Sequence, residues 1–201
     1  MNFDLPPVTR VLILANISVF ALQWLFDPIL IALFGLWPLQ TGWGLGAFMP
    51  WQVFSYSFLH GDLTHLLLNM FALYMFGSEL ERYFGSKRYL NYYFASVVTA
   101  AALQLVVTWH STVIYPTIGA SGGVFGLLLG FGMCFPRRMI LLVIPPIPMP
   151  AWLFVTLYGA LEVFLGVTGS QAGVAHFAHL GGMLGGYLML RHWRNQRRGR
   201  P

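Results

Sequence analysis

Long apolar stretches recur down the whole chain, separated by shorter connections that carry the charges, the prolines and many of the glycines. A helix needs about 20 mainly apolar residues to cross a hydrocarbon core roughly 30 Å thick. Six stretches approach that length, at residues 9–26, 63–80, 89–109, 118–135, 151–167 and 174–190. The run 139–144 is too short to span and leads into Pro145, Pro146, Pro148 and Pro150. Prolines so close together cannot sit in a helix interior, which places this run in the connection before the fifth helix. The first connection, 27–59, is long and itself apolar, with Phe34, Trp37, Trp43, Phe48 and Trp51 along it. Tryptophan is enriched at headgroup level, so this loop is expected to lie in the membrane interface. No internal repeat is evident.

Composition agrees with a membrane solvent. Hydrophobic residues make up 57% of the 201 and charged residues 8%, against about a quarter charged in soluble domains. A water-soluble domain is thereby excluded, and the expectation is one compact all-α membrane domain over 1–201, a bundle of six transmembrane helices. The 11 basic residues fall in alternate segments: Arg10; Arg82, Lys87 and Arg88; Arg137 and Arg138; then Arg191, Arg194, Arg197, Arg198 and Arg200. Lys and Arg favour the cytoplasmic side of short loops. An even number of crossings with both termini cytoplasmic, and 191–201 as a basic cytoplasmic tail, satisfies this distribution. The first apolar stretch follows Arg10 as a signal peptide would, but Asp27, Pro28 and more apolar sequence come after it instead of a small-residue cleavage site. The net charge of +5 is not gathered into any nucleic-acid-binding module, so no nucleic-acid partner is expected. Cys134 is alone and cannot form an internal disulfide.

Polar residues inside apolar helices are costly, and usually face the bundle interior or a water-filled cavity. With the topology above, helix two enters from outside carrying His60, His65 and Asn69, helix four enters with Ser121 about one turn in, and helix six enters with His176 and His179. Three helices thus bring hydroxyl, imidazole and amide groups to one shallow depth. Taken singly, each has a plain structural reading: Ser121 as a small packing residue, His179 and Asn69 as interhelical hydrogen-bonding groups. Their surroundings point elsewhere. Ser121 sits in Gly119-Ala120-Ser121-Gly122, followed by Gly126 and Gly130, while His179 shares a helical face with Gly182 and Gly186. Glycines let helix backbones approach closely. A hydroxyl beside an imidazole is the minimum for nucleophilic catalysis, because serine is a weak nucleophile until a base takes its proton.

These three motifs, His60, His65 and Asn69, then Gly119 to Gly122, then Ala178-His179 with Gly182 and Gly186, resemble the signature of the rhomboid intramembrane serine proteases. The resemblance runs from about Val11 to Arg191. It implies a six-helix rhomboid bundle, no cofactor, transmembrane proteins as substrates and lipid as the surrounding partner. It also implies that Ser121 is the nucleophile and His179 the base, a dyad with no carboxylate partner. His65 and Asn69 would join the Ser121 N–H in holding the oxyanion beside Gly119, and His60 would support the mouth of the site. Phe125 stands where the family often has a tyrosine whose ring packs on the catalytic histidine. Trp51-Gln52 stands where a Trp-Arg pair is common, which puts in doubt any arginine role in holding the first loop. The implied activity is endoproteolysis near the outer face of a membrane, with the bacterial inner membrane as the expected location.

Several rivals remain at this stage. His176 is a second candidate base, three residues before His179. Glu162, the one carboxylate well inside a span, is a candidate to orient His179 as an aspartate does in soluble triads. A zinc site built from His60, His65, His176 and His179 is disfavoured, because no His-Glu-x-x-His pattern occurs. A rhomboid-like pseudoprotease would be favoured by loss of the serine or histidine, and a transporter by polar groups continuing to the inner face. The glycine-rich connection 166–173 is suited to act as a mobile cap.

Overall fold

A computed structural model describes residues 5–42, 44–111, 114–141, 147–169 and 175–198, and the chain is mostly helical. Helix α1 covers Pro7–Phe34, α2 Gln52–Ser55, α3 Leu63–Ala72, α4 Ser78–Phe84, α5 Ser86–Thr108, α6 Ser121–Cys134, α7 Ala151–Thr168 and α8 His176–Arg198. Three of these, α1, α5 and α7, are long and apolar enough to cross a membrane, and α6 is a shorter apolar helix of 14 residues.

Each boundary that differs from the sequence pattern has a local cause. The first helix does not end at 26 but bends there: Phe26 leaves helical geometry (φ −133°, ψ 25°) and the helix resumes through Pro28 to Phe34. Proline is accommodated in a first helical turn, where its missing N–H is not needed, so the bend lets Pro28 begin a fresh turn. The second run continues to Phe84 through a π-helical segment, Leu73–Gly77, that joins α3 to α4. Gly85, with φ +79°, ends it. Helix α6 starts three residues later than 118 because Gly119 adopts φ +123°. Helix α8 carries on through 191–198 of the basic tail, where neither Gly nor Pro occurs to stop it before Gly199. The run after 138 is not plain loop. Met139–Leu141 (β1) pairs antiparallel with Pro148–Pro150 (β2), so a small hairpin departs from the all-α expectation. Most of the expected cap, from Ser170 to Gly173, lies outside the described residues, as do Trp43 and Val174; Gly166 belongs to α7.

Helices α5, α6 and α8 pack against one another as the centre of the bundle, and α7 leans on α6 and α8. Over their most apolar windows α5 is 39% buried, whereas α7 is 17% and α1 only 6%. The outer helices therefore show apolar surface outward, with Trp24, Leu25 and Val167 among the most exposed side chains. Polar groups are turned inward: Asn16, Gln23, Gln52, Ser96, Gln104 and Glu162 are all buried. Such inverted polarity suits a solvent of lipid tails.

Contacts gather at two ends. At one, the Glu81 carboxylate accepts the N–H groups of Val8 (3.0 Å) and Thr9 (2.7 Å) and the hydroxyls of Thr9 (2.8 Å) and Ser86 (2.6 Å). Arg138 pairs with Glu79 at 2.6 Å, and the Arg88 guanidinium lies over Trp193. At the other end, Leu36 and Thr117 exchange two backbone hydrogen bonds of 2.9 Å. Gln52 fastens the first loop there: its Oε1 accepts from the Trp37 N–H, and its Nε2 donates to the Ala47 carbonyl at 2.9 Å and the Leu33 carbonyl at 3.3 Å. A neutral amide thus holds the loop at the position where an arginine was in question.

Glu81 ties the start of α1 to the α4–α5 turn through four donors, and hydrogen bonds to a charged group contribute about 1.5–3 kcal/mol each at most when buried. Glu81→Ala is expected to lower stability by about 3 kcal/mol or more, read as a fall in the unfolding midpoint in detergent micelles. Glu81→Gln, which keeps one acceptor oxygen, should lose less. An unchanged midpoint in Glu81→Ala would remove this carboxylate as a fastener.

Candidate active site

Ser121 is the first residue of α6, not a residue one turn inside it. Gly119 makes the sharp entry: its φ of +123° is open to glycine and strained for other residues. The Gly119 N–H donates to the Tyr56 carbonyl at 2.9 Å, which anchors this turn to the first loop. The helix's own ladder begins with the Val124 N–H donating to the Ala120 carbonyl. The Ser121 N–H is therefore among the first-turn donors that an α-helix leaves without an internal partner, at the end where the helix dipole favours negative charge.

His179 lies on the facing helix, α8, with Nε2 2.9 Å from Ser121 Oγ. Glycine makes this approach possible. A β-carbon at Gly182 would stand on the Gly122 carbonyl oxygen, and one at Gly126 would meet Ser96 and lie 3.0 Å from the Gly182 carbonyl. Backbone therefore meets backbone along the α6–α8 seam. The Phe125 ring stacks on the His179 imidazole, with centroids 4.1 Å apart and planes 7° from parallel. Tyr158 of α7 stacks on the far side of Phe125 at 5.4 Å.

Helix α3 brings His65 over the entry turn. Asp62 caps the helix by accepting the His65 N–H at 2.8 Å, and the Gly61 N–H points at His65 Nδ1 from 3.4 Å. With Nδ1 accepting, a neutral ring carries its proton on Nε2. That edge faces Gly119, where an added β-carbon would sit 2.8 Å from His65 Nε2 and 3.7 Å from Ser121 Oγ. Asn69 is buried one turn on, and its amide donates to the His65 carbonyl at 3.0 Å, steadying the turn that presents the ring. His60 is buried with its ring edge-on to His65, centroids 5.0 Å apart. Its backbone is clamped by Gln23 of α1, which accepts its N–H at 2.9 Å and donates to its carbonyl at 3.1 Å. Gln23 was not among the sequence candidates; its place as an amide within a membrane-length apolar helix was the available signal.

His176 does not approach the hydroxyl. Its Nδ1 is 2.7 Å from Glu162 Oε2, and the same oxygen is 2.9 Å from His179 Nδ1. The histidine thus has a carboxylate neighbour that the resemblance does not imply. Among the described residues, these three groups also form the one cluster able to meet at a metal ion, in place of the four histidines weighed from sequence. A cation held by both Nδ1 atoms would leave the His179 proton on Nε2 and deprive Ser121 of an acceptor. Two N–H donors around one carboxylate fit the 2.9 Å contact to Ser121 better.

A family model described as the Rhomboid domain matches residues 47–194. Rhomboid protein 1, mitochondrial, of Saccharomyces cerevisiae is 32% identical over 180 residues, covering 79% of this chain and 49% of that protein. Putative rhomboid protease YdcA of Bacillus subtilis is 30% identical over 189 residues, covering 92% and 86%. Rhomboid protease AarA of Providencia stuartii is 29% identical over 205 residues, covering 90% and 70%. The chain spans about half the length of the yeast relative.

Gly119→Ala combines an unfavourable φ with a methyl placed 2.7 Å from His65 Cε1. Strain of this kind amounts to about 1–3 kcal/mol, so labelling of Ser121 by a fluorophosphonate is expected to slow by roughly tenfold or more. The unfolding midpoint should fall less than in Gly182→Ala, which forces the α6–α8 seam apart. Labelling of Gly119→Ala at the wild-type rate would show that this turn does not shape the site.

Proposed function

The chain belongs to the rhomboid family and is an integral membrane protein; from that premise we propose that it is an intramembrane serine endopeptidase cleaving transmembrane proteins near the outer face of the membrane. The observation that carries this reading is the 2.9 Å contact of Ser121 Oγ with His179 Nε2 at the free N-terminus of α6. In the proposed reaction, the Ser121 oxygen bonds to the scissile carbonyl carbon as its proton passes to His179 Nε2. The carbonyl electron pair moves onto oxygen, and the resulting oxyanion meets the Ser121 N–H and the Nε2–H edge of His65, with Asn69 behind it. Collapse expels the amine, which takes the proton from His179. Water then hydrolyses the acyl-enzyme by the same path. A substrate helix would have to unwind locally, because a carbonyl locked in helix is shielded from attack.

The proposal includes six crossings with both termini cytoplasmic, in the inner membrane of a bacterium. Supporting it, the contacts of Arg88, Arg138 and Thr9 lie together at one end, opposite the Leu36–Thr117 bridge and the entry to α6. The 14 residues of α6 span only about 21 Å at 1.5 Å each. A helix this short does not reach across a core of about 30 Å, which supports a reading in which Ser121 lies beneath the outer surface.

Purified protein and a model single-pass substrate provide the test. Ser121→Ala and His179→Ala are each expected to abolish cleavage while leaving the fold intact. His65→Ala and Asn69→Ala should lower kcat with little change in KM, by up to the roughly 10²–10³ that loss of an oxyanion donor costs in a soluble serine protease. Undiminished cleavage by Ser121→Ala would remove Ser121 from the reaction, and no cleavage by the unmodified protein would favour a rhomboid-like protein that binds membrane proteins without cutting them. For the topology, cysteines replacing Ser111 and Gly169 should react with a membrane-impermeant reagent added outside the cell, and one replacing Ser86 should not. External labelling at position 86 would overturn the orientation.

A further inference from the structure

We infer that Glu162 is a positioning residue for the reaction, converting the Ser121–His179 pair into a charge-paired triad whose carboxylate is shared with His176. This deepens the protease reading above and rests on it. Glu162 is buried on α7 and its Oε2 lies 2.9 Å from His179 Nδ1, while His179 Nε2 lies 2.9 Å from Ser121 Oγ. The line of contacts from carboxylate through imidazole to hydroxyl is unbroken.

A neutral imidazole carries one proton. A carboxylate facing Nδ1 keeps that proton on Nδ1, because Oε2 can only accept, and so leaves the Nε2 lone pair turned to the serine hydroxyl. The acceptor that Ser121 needs is therefore set by Glu162. When the Ser121 proton moves to Nε2, His179 becomes an imidazolium in a weakly polar interior, where an unpaired charge is costly. The ionised Glu162 is already in contact with it and supplies the opposite charge with no rearrangement. The Nδ1 proton stays on His179 and Glu162 stays ionised throughout, while the Nε2 proton goes on to the leaving amine, so the balance of the acyl-transfer step is unchanged.

His176 makes this carboxylate tenable. A lone buried carboxylate would protonate, and a protonated one could donate to His179 and turn its tautomer the wrong way. The His176 Nδ1, 2.7 Å from the same oxygen, provides a second N–H donor that stabilises the ionised form. Both histidines come from the first turn of α8, three residues apart on one face. Phe125, stacked face to face on His179, holds the imidazole plane in which both of these contacts lie.

Three variants and one spectrum test the proposal. Glu162→Gln can present an N–H to Nδ1 and favour the wrong tautomer. Its kcat for the single-pass substrate is expected to fall by about 10²–10⁴, the upper figure being the loss when a soluble triad's aspartate becomes asparagine, with KM changed less than threefold. Glu162→Asp keeps the charge on a shorter arm and should recover part of the loss, whereas a purely structural role would make the aspartate no better than the glutamine. His176→Ala should lose less than Glu162→Gln. A Glu162→Gln enzyme within threefold of wild-type kcat overturns the proposal. Failure of that variant to fold leaves the decision to the unmodified chain. In ¹⁵N-histidine-labelled protein, His179 should show a protonated Nδ1 with a strongly downfield proton, in wild type and in Ser121→Ala alike. Its absence from the folded wild type sinks the inference whether or not the protein cleaves. Its presence in a protein that cleaves nothing would instead uphold the arrangement and count against the protease reading.

Discussion

The close contact between α6 and α8 is the constraint on which the rest of the molecule depends. Lipid tails compete with apolar side chains on equal terms, so helices in a membrane associate through packing and polar contacts, not through expulsion of water. Here the packing reaches its limit, since the Gly122 carbonyl occupies the space where any side chain at Gly182 would begin. At that separation Ser121 on one helix and His179 on the other come within 2.9 Å. Ser96 and Tyr92 of α5 fill the remaining side of the seam, the tyrosine hydroxyl donating to the Gly126 carbonyl at 2.8 Å.

Around that seam the polar groups are organised as fastenings at the bundle's ends. Glu81 gathers the amino end of α1, and Gln52 and the Leu36–Thr117 bridge gather the first loop and the turn before Ser121. The turn at Gly119 hangs from this loop through the Tyr56 carbonyl. The first loop therefore sets where α6 begins, and hence where the hydroxyl and the free N–H of Ser121 lie.

Much of this was legible in the sequence because the relevant signals are local. The glycine spacing from Gly122 to Gly130 and from Gly182 to Gly186 announced close helix approach, and the motifs around Ser121, His179 and His65 carried the resemblance to a family. What escaped was set by geometry between elements. The π-helical segment at Leu73–Gly77 leaves no mark on hydropathy, since apolar residues continue through it, and at Phe26 the following Asp27 and Pro28 read as a helix end where the chain only bends. The start of α6 at Ser121 turns on one backbone angle at Gly119. The hairpin pairs β1 with a proline-rich β2 that local propensity would place outside any sheet. Glu162 stood out as a lone carboxylate in an apolar helix, but its distance from His179 depends on how α7 is rotated against α8, and periodicity does not report rotation.

Helix α7 brings the Glu162 carboxylate and the Tyr158 ring to a site whose serine and histidine stand on the inner helices α6 and α8. Yet only Ala151, Val155 and Glu162 of its described residues are buried. The helix that carries the Glu162 side chain beside His179 is thus held by a small share of the total packing, and elements with few buried contacts open at lower free energy than the core. On the reading that Glu162 sets the His179 tautomer, warming would separate two events that coincide in most small enzymes. Turnover would fade as α7 loosens, while α5, α6 and α8 still hold together as a folded core.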